Sequence, residues 1–220
     1  MNNCSVELNG DSVLFGYITN DTTWRLESTP AQRLRDKGYQ IEDKTAGGLR
    51  TYDLVRGYLQ PFPEAWSALY PSGAQPAFWN LPHDSRIIVI QTGINDFKDP
   101  FNPARVYQDY SYMVDYIRGL GKIPVITGVT QVDKTVVGIE VSDKIDKIRE
   151  TIKLVVKNKF VHYASFDQVQ MKWTDGYHLT QESSDKMVNN LDYVLGVICE
   201  KKRKIFSLVL GQWHSGTSWK

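Results

Sequence analysis

Residues 86–96 read Arg86-Ile87-Ile88-Val89-Ile90-Gln91-Thr92-Gly93-Ile94-Asn95-Asp96. The run Ile87 to Ile90 is continuously apolar, as a central strand buried on both faces should be. The polar turn that follows leaves its carboxyl end. Working outward from this strand, short apolar runs at Ser5 to Leu8, Tyr39 to Glu42, Ile123 to Thr127 and Phe160 to Tyr163 read as four more strands, with Arg86 to Gln91 as the third of five. Helical periodicity fills the gaps between them. Asn102 followed by Pro103 reads as an N-cap with proline at the first helical position, and Val106, Tyr110, Met113, Val114 and Ile117 form one buried face. Ser142 reads as the opening of a second helix carrying Ile145, Ile148, Ile152 and Val155. A third follows Thr180, with Met187, Leu191, Val194, Leu195 and Ile198 facing inward. Alternation of this kind predicts right-handed βαβ crossovers and an α/β fold, a three-layer α/β/α sandwich on a five-stranded parallel sheet. Functional groups then belong on loops leaving the carboxyl ends of the strands.

Composition narrows the remaining choices. The 220 residues carry 26 Lys+Arg against 25 Asp+Glu, so no overall field favours a polyanion and nucleic acid is not the expected partner. The near-neutral total conceals an asymmetry. Residues 201–220 hold five basic residues and no acidic one, which leaves −4 for residues 1–200. Residues 1–200 are accordingly read as one domain, and residues 201–220 as a basic, tryptophan-bearing extension. In that extension Lys201 to Lys204 would cap the preceding helix, and Ile205 to Leu210 would add an edge strand. A contact for a homo-oligomer or a neighbouring module is the alternative role. Cys4 and Cys199 match no metal-ligand spacing; reduced thiols are the plain reading and a single terminal staple the other. No metal or cofactor is expected. No stretch approaches the length of a membrane span, and the N-terminus lacks the pattern of a signal peptide, so the expected location is cytoplasmic or virion-associated. The connection from Gly57 to Ser85 holds five of the nine prolines with Trp66, Phe78 and Trp79, and is read as an aromatic surface lid pinned to the core, with a substrate-contacting lip as the alternative and a short helix near Glu64 to Tyr70.

Three loops carry the chemistry. Gly10-Asp11-Ser12 follows the first strand, where a serine on a sharp turn can present its hydroxyl and its own N–H at the sheet edge. Gly93-Ile94-Asn95-Asp96 follows the third, next to the first strand in a doubly wound sheet, and can aim an amide across the switch point. Asp175-Gly176-Tyr177-His178 follows the fifth, with a carboxylate three residues before an imidazole and able to hold its Nδ1–H. His83, His162 and His214 have no comparable setting and are read as structural or solvent-exposed. Each signal is common by itself; their order along an alternating α/β chain is not.

With these blocks in place, the chain resembles the SGNH hydrolases, also called the GDSL esterase/lipase family, from residue 5 to about residue 200. Gly10 to Ser12, Gly93 to Asp96 and Asp175 to His178 correspond to the family's first, third and fifth blocks. The second block supplies an oxyanion glycine; Ala46-Gly47-Gly48-Leu49-Arg50-Thr51 stands there, with Gly48 favoured if Thr51 replaces the usual hydroxyl residue, and Gly47 as the alternative. The resemblance implies a flavodoxin-like fold and a cofactor-free serine esterase. Ser12, Asp175 and His178 would form the triad, and Ser12, Gly48 and Asn95 the oxyanion hole. Asp11 and Asp96 would hold the loops, while Arg50 would either face the substrate or be a surface charge. Phe15, Tyr17, Phe97, Trp173 and Tyr177 adjoin the motifs and include candidates for substrate contact. The family's substrates range from lysophospholipids and thioesters to O-acetylated carbohydrates. A short chain without a long apolar lid helix favours an acetyl ester on a sugar, resembling esterase modules of some bacteriophage tail proteins. A lysophospholipase or thioesterase, a non-catalytic carbohydrate-binding module, and a flavodoxin-like cofactor or signalling domain are the competing readings.

Overall fold

A computed structural model describes residues 4–18, 25–58, 75–98, 100–166 and 170–213, with side chains described through residue 199. Five strands are present: β1 (Ser5–Gly10), β2 (Gln40–Asp43), β3 (Ile87–Gln91), β4 (Ile123–Thr127) and β5 (His162–Ala164). All neighbours pair in parallel, in the order β2-β1-β3-β4-β5. Every residue of β3 is buried, as its apolar run requires.

The chain first steps from β1 outward to β2, then reverses and steps through β3, β4 and β5. With right-handed crossovers, that reversal sends the connecting helices to opposite faces. Helices α1 (Ser12–Phe15) and α2 (Pro30–Asp36) occupy the first connection, and α2 packs on the last helix, α7 (Gln181–Trp213). On the other face α3 (Thr51–Arg56) packs on α4 (Pro103–Gly119), and α4 on α6 (Ile139–Lys159), with the short α5 (Lys134–Val137) beside α6. The three-layer α/β sandwich is therefore as expected. Its switch point lies between β1 and β3, where the loops carrying Ser12 and Asn95 diverge.

Several local expectations need correction. The second long helix starts at Ile139 after Gly138, not at Ser142, which is buried one turn inside it. The fifth strand begins at His162 because Phe160 is the left-handed cap of α6, with φ of 50° and 90% exposure, and belongs to no strand. Residues 205–210 form no edge strand; α7 continues through them to Trp213. The two cysteines are joined in a disulfide between the residue preceding β1 and the body of α7, so the staple, not the pair of reduced thiols, is what the fold contains. The suggested helix at Glu64 to Tyr70 and His214 lie outside the described residues.

One polar cluster sits where alternation alone would place solvent. Glu7, on β1, is fully buried and accepts from Asn9 and from the His83 ring, while Lys44 bridges Glu7, Glu42 and the Pro82 carbonyl. Burial would raise the Glu7 carboxyl, but the His83 and Asn9 hydrogen bonds with the charge of Lys44 hold it below its ordinary value. His83 also bonds the Phe78 carbonyl at 2.8 Å. Its role is structural, tying the connection before β3 to β1. Among the described residues, no helix is long and apolar enough to cross a membrane.

Candidate active site

The turn after β1 is capped by Asp11, whose carboxylate accepts from the Val13 N–H at 3.0 Å and opens α1 at Ser12. The Ser12 hydroxyl thereby stands at the carboxyl edge of the sheet. Across the sheet, Asp175 caps its own turn: one oxygen accepts from the N–H groups of Tyr177 (3.0 Å) and His178 (2.8 Å), and the other lies 2.7 Å from His178 Nδ1. The far ring nitrogen, Nε2, lies 3.0 Å from Ser12 Oγ. One hydrogen-bonded line thus runs from carboxylate to imidazole to hydroxyl, although 166 positions separate Ser12 from His178. With Nδ1–H held by the carboxylate, Nε2 carries the lone pair facing the hydroxyl.

Asn95 and both glycines of the second block line the same cavity of about 240 Å³ as Ser12, Asp175 and His178. Asn95 Nδ2 donates one hydrogen to the Leu49 carbonyl at 3.1 Å, which fixes the amide and leaves its second hydrogen for the cavity. Gly48 adopts φ of +75°, a conformation that resists a side chain, and is the more exposed of the pair. Gly93 also has positive φ, and a Cβ there would fall within 3.0 Å of Val129 and Ile148, so the turn that presents Asn95 depends on glycine. Among the described residues, the N–H groups of Ser12 and Gly48 have no protein acceptor.

Two buried carboxyls brace these loops. Asp96 accepts from the Thr51 N–H (2.9 Å) and hydroxyl (3.0 Å), so the second and third blocks are joined beneath the cavity. Thr51 also meets Thr92, whose backbone is clasped by the Tyr110 hydroxyl. Burial pushes the Asp96 carboxyl up to about 6 against the lowering effect of both Thr51 bonds. The same cause pushes Asp11 up to about 7, opposed by the Val13 N–H. Both loop-holding roles fit this geometry.

The flanking aromatics divide. Tyr17 lines the cavity, its ring centroid 4.5 Å from that of His178. Phe15 is core, covered by Arg25 at 3.8 Å. Phe97 stacks on Tyr177, and Trp173 Nε1 donates to the Gln131 carbonyl, so these three brace loops. Arg50 is held by two hydrogen bonds to Asp53 and faces a neighbouring depression. Lys98 was not singled out by sequence: its ammonium reaches Asn95 Oδ1 at 3.4 Å and lines the cavity. Its only signal was a position three residues after Asn95.

Residues 8–186 match the model of the GDSL-like lipase/acylhydrolase family. No curated protein matches the chain. Among solved structures, a carbohydrate acetylesterase family member from Sinorhizobium meliloti is similar at a TM-score of 0.70 and 14% identity, over 89% of this chain and 99% of that one. A second carbohydrate acetylesterase from the same organism is similar at 0.62 and 18% identity, over 92% and 100%. A lipase/acylhydrolase from Enterococcus faecalis is similar at 0.63 and 14%, over 90% and 96%. At these identities the structures speak for the fold.

Proposed function

The chain belongs to the GDSL-like lipase/acylhydrolase family and is a carboxylic ester hydrolase, and from that premise we propose that it removes small acyl groups, acetyl above all, from a carbohydrate. The observation that carries the mechanism is the line from Asp175 through His178 to Ser12, closed at 2.7 and 3.0 Å.

In this reading His178 Nε2 takes the Ser12 proton as Oγ bonds to the ester carbonyl carbon. Asp175 stabilises the imidazolium that results. The oxyanion is met by the N–H groups of Ser12 and Gly48 and by the free Asn95 hydrogen, donors fixed before substrate arrives. His178 returns its proton to the leaving alcohol as the carbon–oxygen bond breaks. Water then enters and bonds to the acyl carbon as His178 takes its proton, and His178 passes that proton to Ser12 Oγ as the Oγ–carbon bond breaks and the acid leaves. The chemistry as described needs no bound cofactor.

Small acyl groups are favoured because the cavity, at about 240 Å³, falls below the ~300–1,000 Å³ of sites that bury larger ligands. Among the described residues its lining includes no valine, leucine, isoleucine or methionine, and Tyr17 offers a phenol ring, which suits a sugar better than a fatty chain. Two of the structural neighbours are named carbohydrate acetylesterases, which supports the choice at the level of fold. The disulfide suits work in oxidising surroundings in preference to the reducing cytosol. We further propose that residues 201–220 serve as a contact for a second copy or a neighbouring module.

The test compares wild type with Ser12→Ala on p-nitrophenyl acetate, p-nitrophenyl octanoate and O-acetylated sugars. We expect turnover of acetyl esters to exceed that of octanoate and to vanish in the variant. Full activity of Ser12→Ala would sink the mechanism. A preference for octanoate would favour the lipase reading, and an inactive wild type the binding-module reading.

A further inference from the structure

Beyond the catalytic cavity the surface continues as two more depressions. Lys98 lines the first cavity and also the second, where it faces Tyr52 and Arg105. Arg56 lies over the Tyr52 ring at 4.4 Å and forms part of the third. That third cavity, on the α3 and α4 side, measures about 420 Å³ and is larger than the catalytic one.

Its walls are unlike ordinary surface. Trp79 and Tyr112 are 38% and 45% exposed, with rings 5.9 Å apart at 87°. They are held in place: Tyr112 stacks on Tyr116 at 6.1 Å, and the Tyr116 hydroxyl donates to the Trp79 carbonyl. Asp109, only 3% exposed, forms part of the wall. One of its oxygens accepts from Arg56 at 2.8 Å, which fixes the guanidinium at that wall.

We propose that this shelf binds sugar rings of the polymer whose ester enters the catalytic cavity, an inference that rests on the carbohydrate reading above. Aromatic faces pack on the C–H face of a pyranose. The Arg56 guanidinium and the Gln108 amide provide the donors and acceptor that hydroxyls on adjacent carbons need. A fatty chain would offer no hydrogen-bonding partner to the Arg56 guanidinium or the Gln108 amide in that wall. Continuity through Lys98 and Arg56 places the shelf along one strand of substrate.

The test applies full-length Ser12→Ala protein to a printed array of microbial and plant polysaccharides, beside Ser12→Ala carrying Trp79→Ala and Tyr112→Ala. We expect at least one glycan to be retained and its signal to fall about tenfold or more without the two rings, the scale of losing a central aromatic contact. Ser12→Ala with Gln108→Ala, at an exposed rim position, is the second variant; it should weaken the same glycan and covers the case in which the aromatic variant fails to fold by circular dichroism. Equal retention by the folded variants overturns the shelf. So does a wild type active on p-nitrophenyl acetate whose Ser12→Ala form retains no glycan, and that result leaves the esterase reading standing. Retention with an inactive wild type supports the shelf and overturns the esterase reading alone.

Discussion

Replacing Thr51 with valine removes one buried hydroxyl and little else. Thr51 is fully buried, and its hydroxyl joins Asp96 at 3.0 Å and Thr92 at 3.0 Å. The backbone bond from Thr51 N–H to Asp96 survives the change. In the wild type, burial raises the Asp96 carboxyl from 3.8 to about 6. Between about pH 4 and 6 the folded chain therefore holds a proton that the unfolded chain has released, so this group makes stability fall as pH rises through that window. The Thr51 hydroxyl opposes the rise because it favours the ionised carboxylate. At pH 4.5, where Asp96 is protonated, Thr51→Val should cost about 1 kcal/mol, the value of a neutral hydrogen bond. At pH 8 it breaks a bond to an ionised group and should cost about 2–3 kcal/mol. Urea unfolding at the two pH values measures this, as a midpoint lowered by about 1 M at pH 8 with an unchanged slope. A deficit below about 0.5 kcal/mol at pH 8, or one that shrinks as pH rises, would refute the argument that Asp96 is an ionisable brace.

Three further outcomes are expected. Asn95→Ala should lower kcat on acetyl esters by about 10²- to 10³-fold with a smaller change in KM; steady-state kinetics within threefold of wild type would remove Asn95 from the oxyanion hole. Asp175→Asn should lower kcat/KM by about 10⁴-fold, because an amide can hold the imidazole in the wrong tautomer, and near-normal rates would leave Asp175 a turn-capping residue only. Reduction of the Cys4–Cys199 bond should lower unfolding free energy by about 2–5 kcal/mol, since the link closes a loop of nearly the whole domain. Titration of the denatured, unreduced protein with a thiol reagent should find no thiol; finding two would contradict the bond.

Much of the framework could be read in advance because it rests on local pattern. The run Ile87 to Ile90 became the fully buried central strand, and Pro103 opened α4 with Asn102 capping the Arg105 N–H. Ser12, Asn95 and the Asp175–His178 pair came together because a parallel doubly wound sheet collects the loops at one end of its strands. What could not be read depends on contacts distant in sequence. Glu7 and Asn9 alternate with Val6 and Leu8 as a solvent face would, yet both are buried because Lys44 and His83 arrive from other connections to bind the Glu7 carboxylate. Ser142 looked like a helix cap and lies inside α6, since Gly138 sets the start. The aromatic residues beside the motifs suggested a substrate lining; four of the five brace core or loops, and Trp79, Tyr112 and Tyr52 line depressions that no motif marks.

The link between Cys4 and Cys199 also decides how the domain carries mechanical load. Pulling on the part of α7 beyond Cys199 does not first peel that helix from α2, because the force crosses a covalent bond into the residue preceding β1. Under tension between the two ends of the chain it then leaves through residues 1–3, since β1 begins after Cys4, inside the closed loop. Intact, the sheet is shielded from that tension; reduced, the domain would carry it and unzip from its last helix.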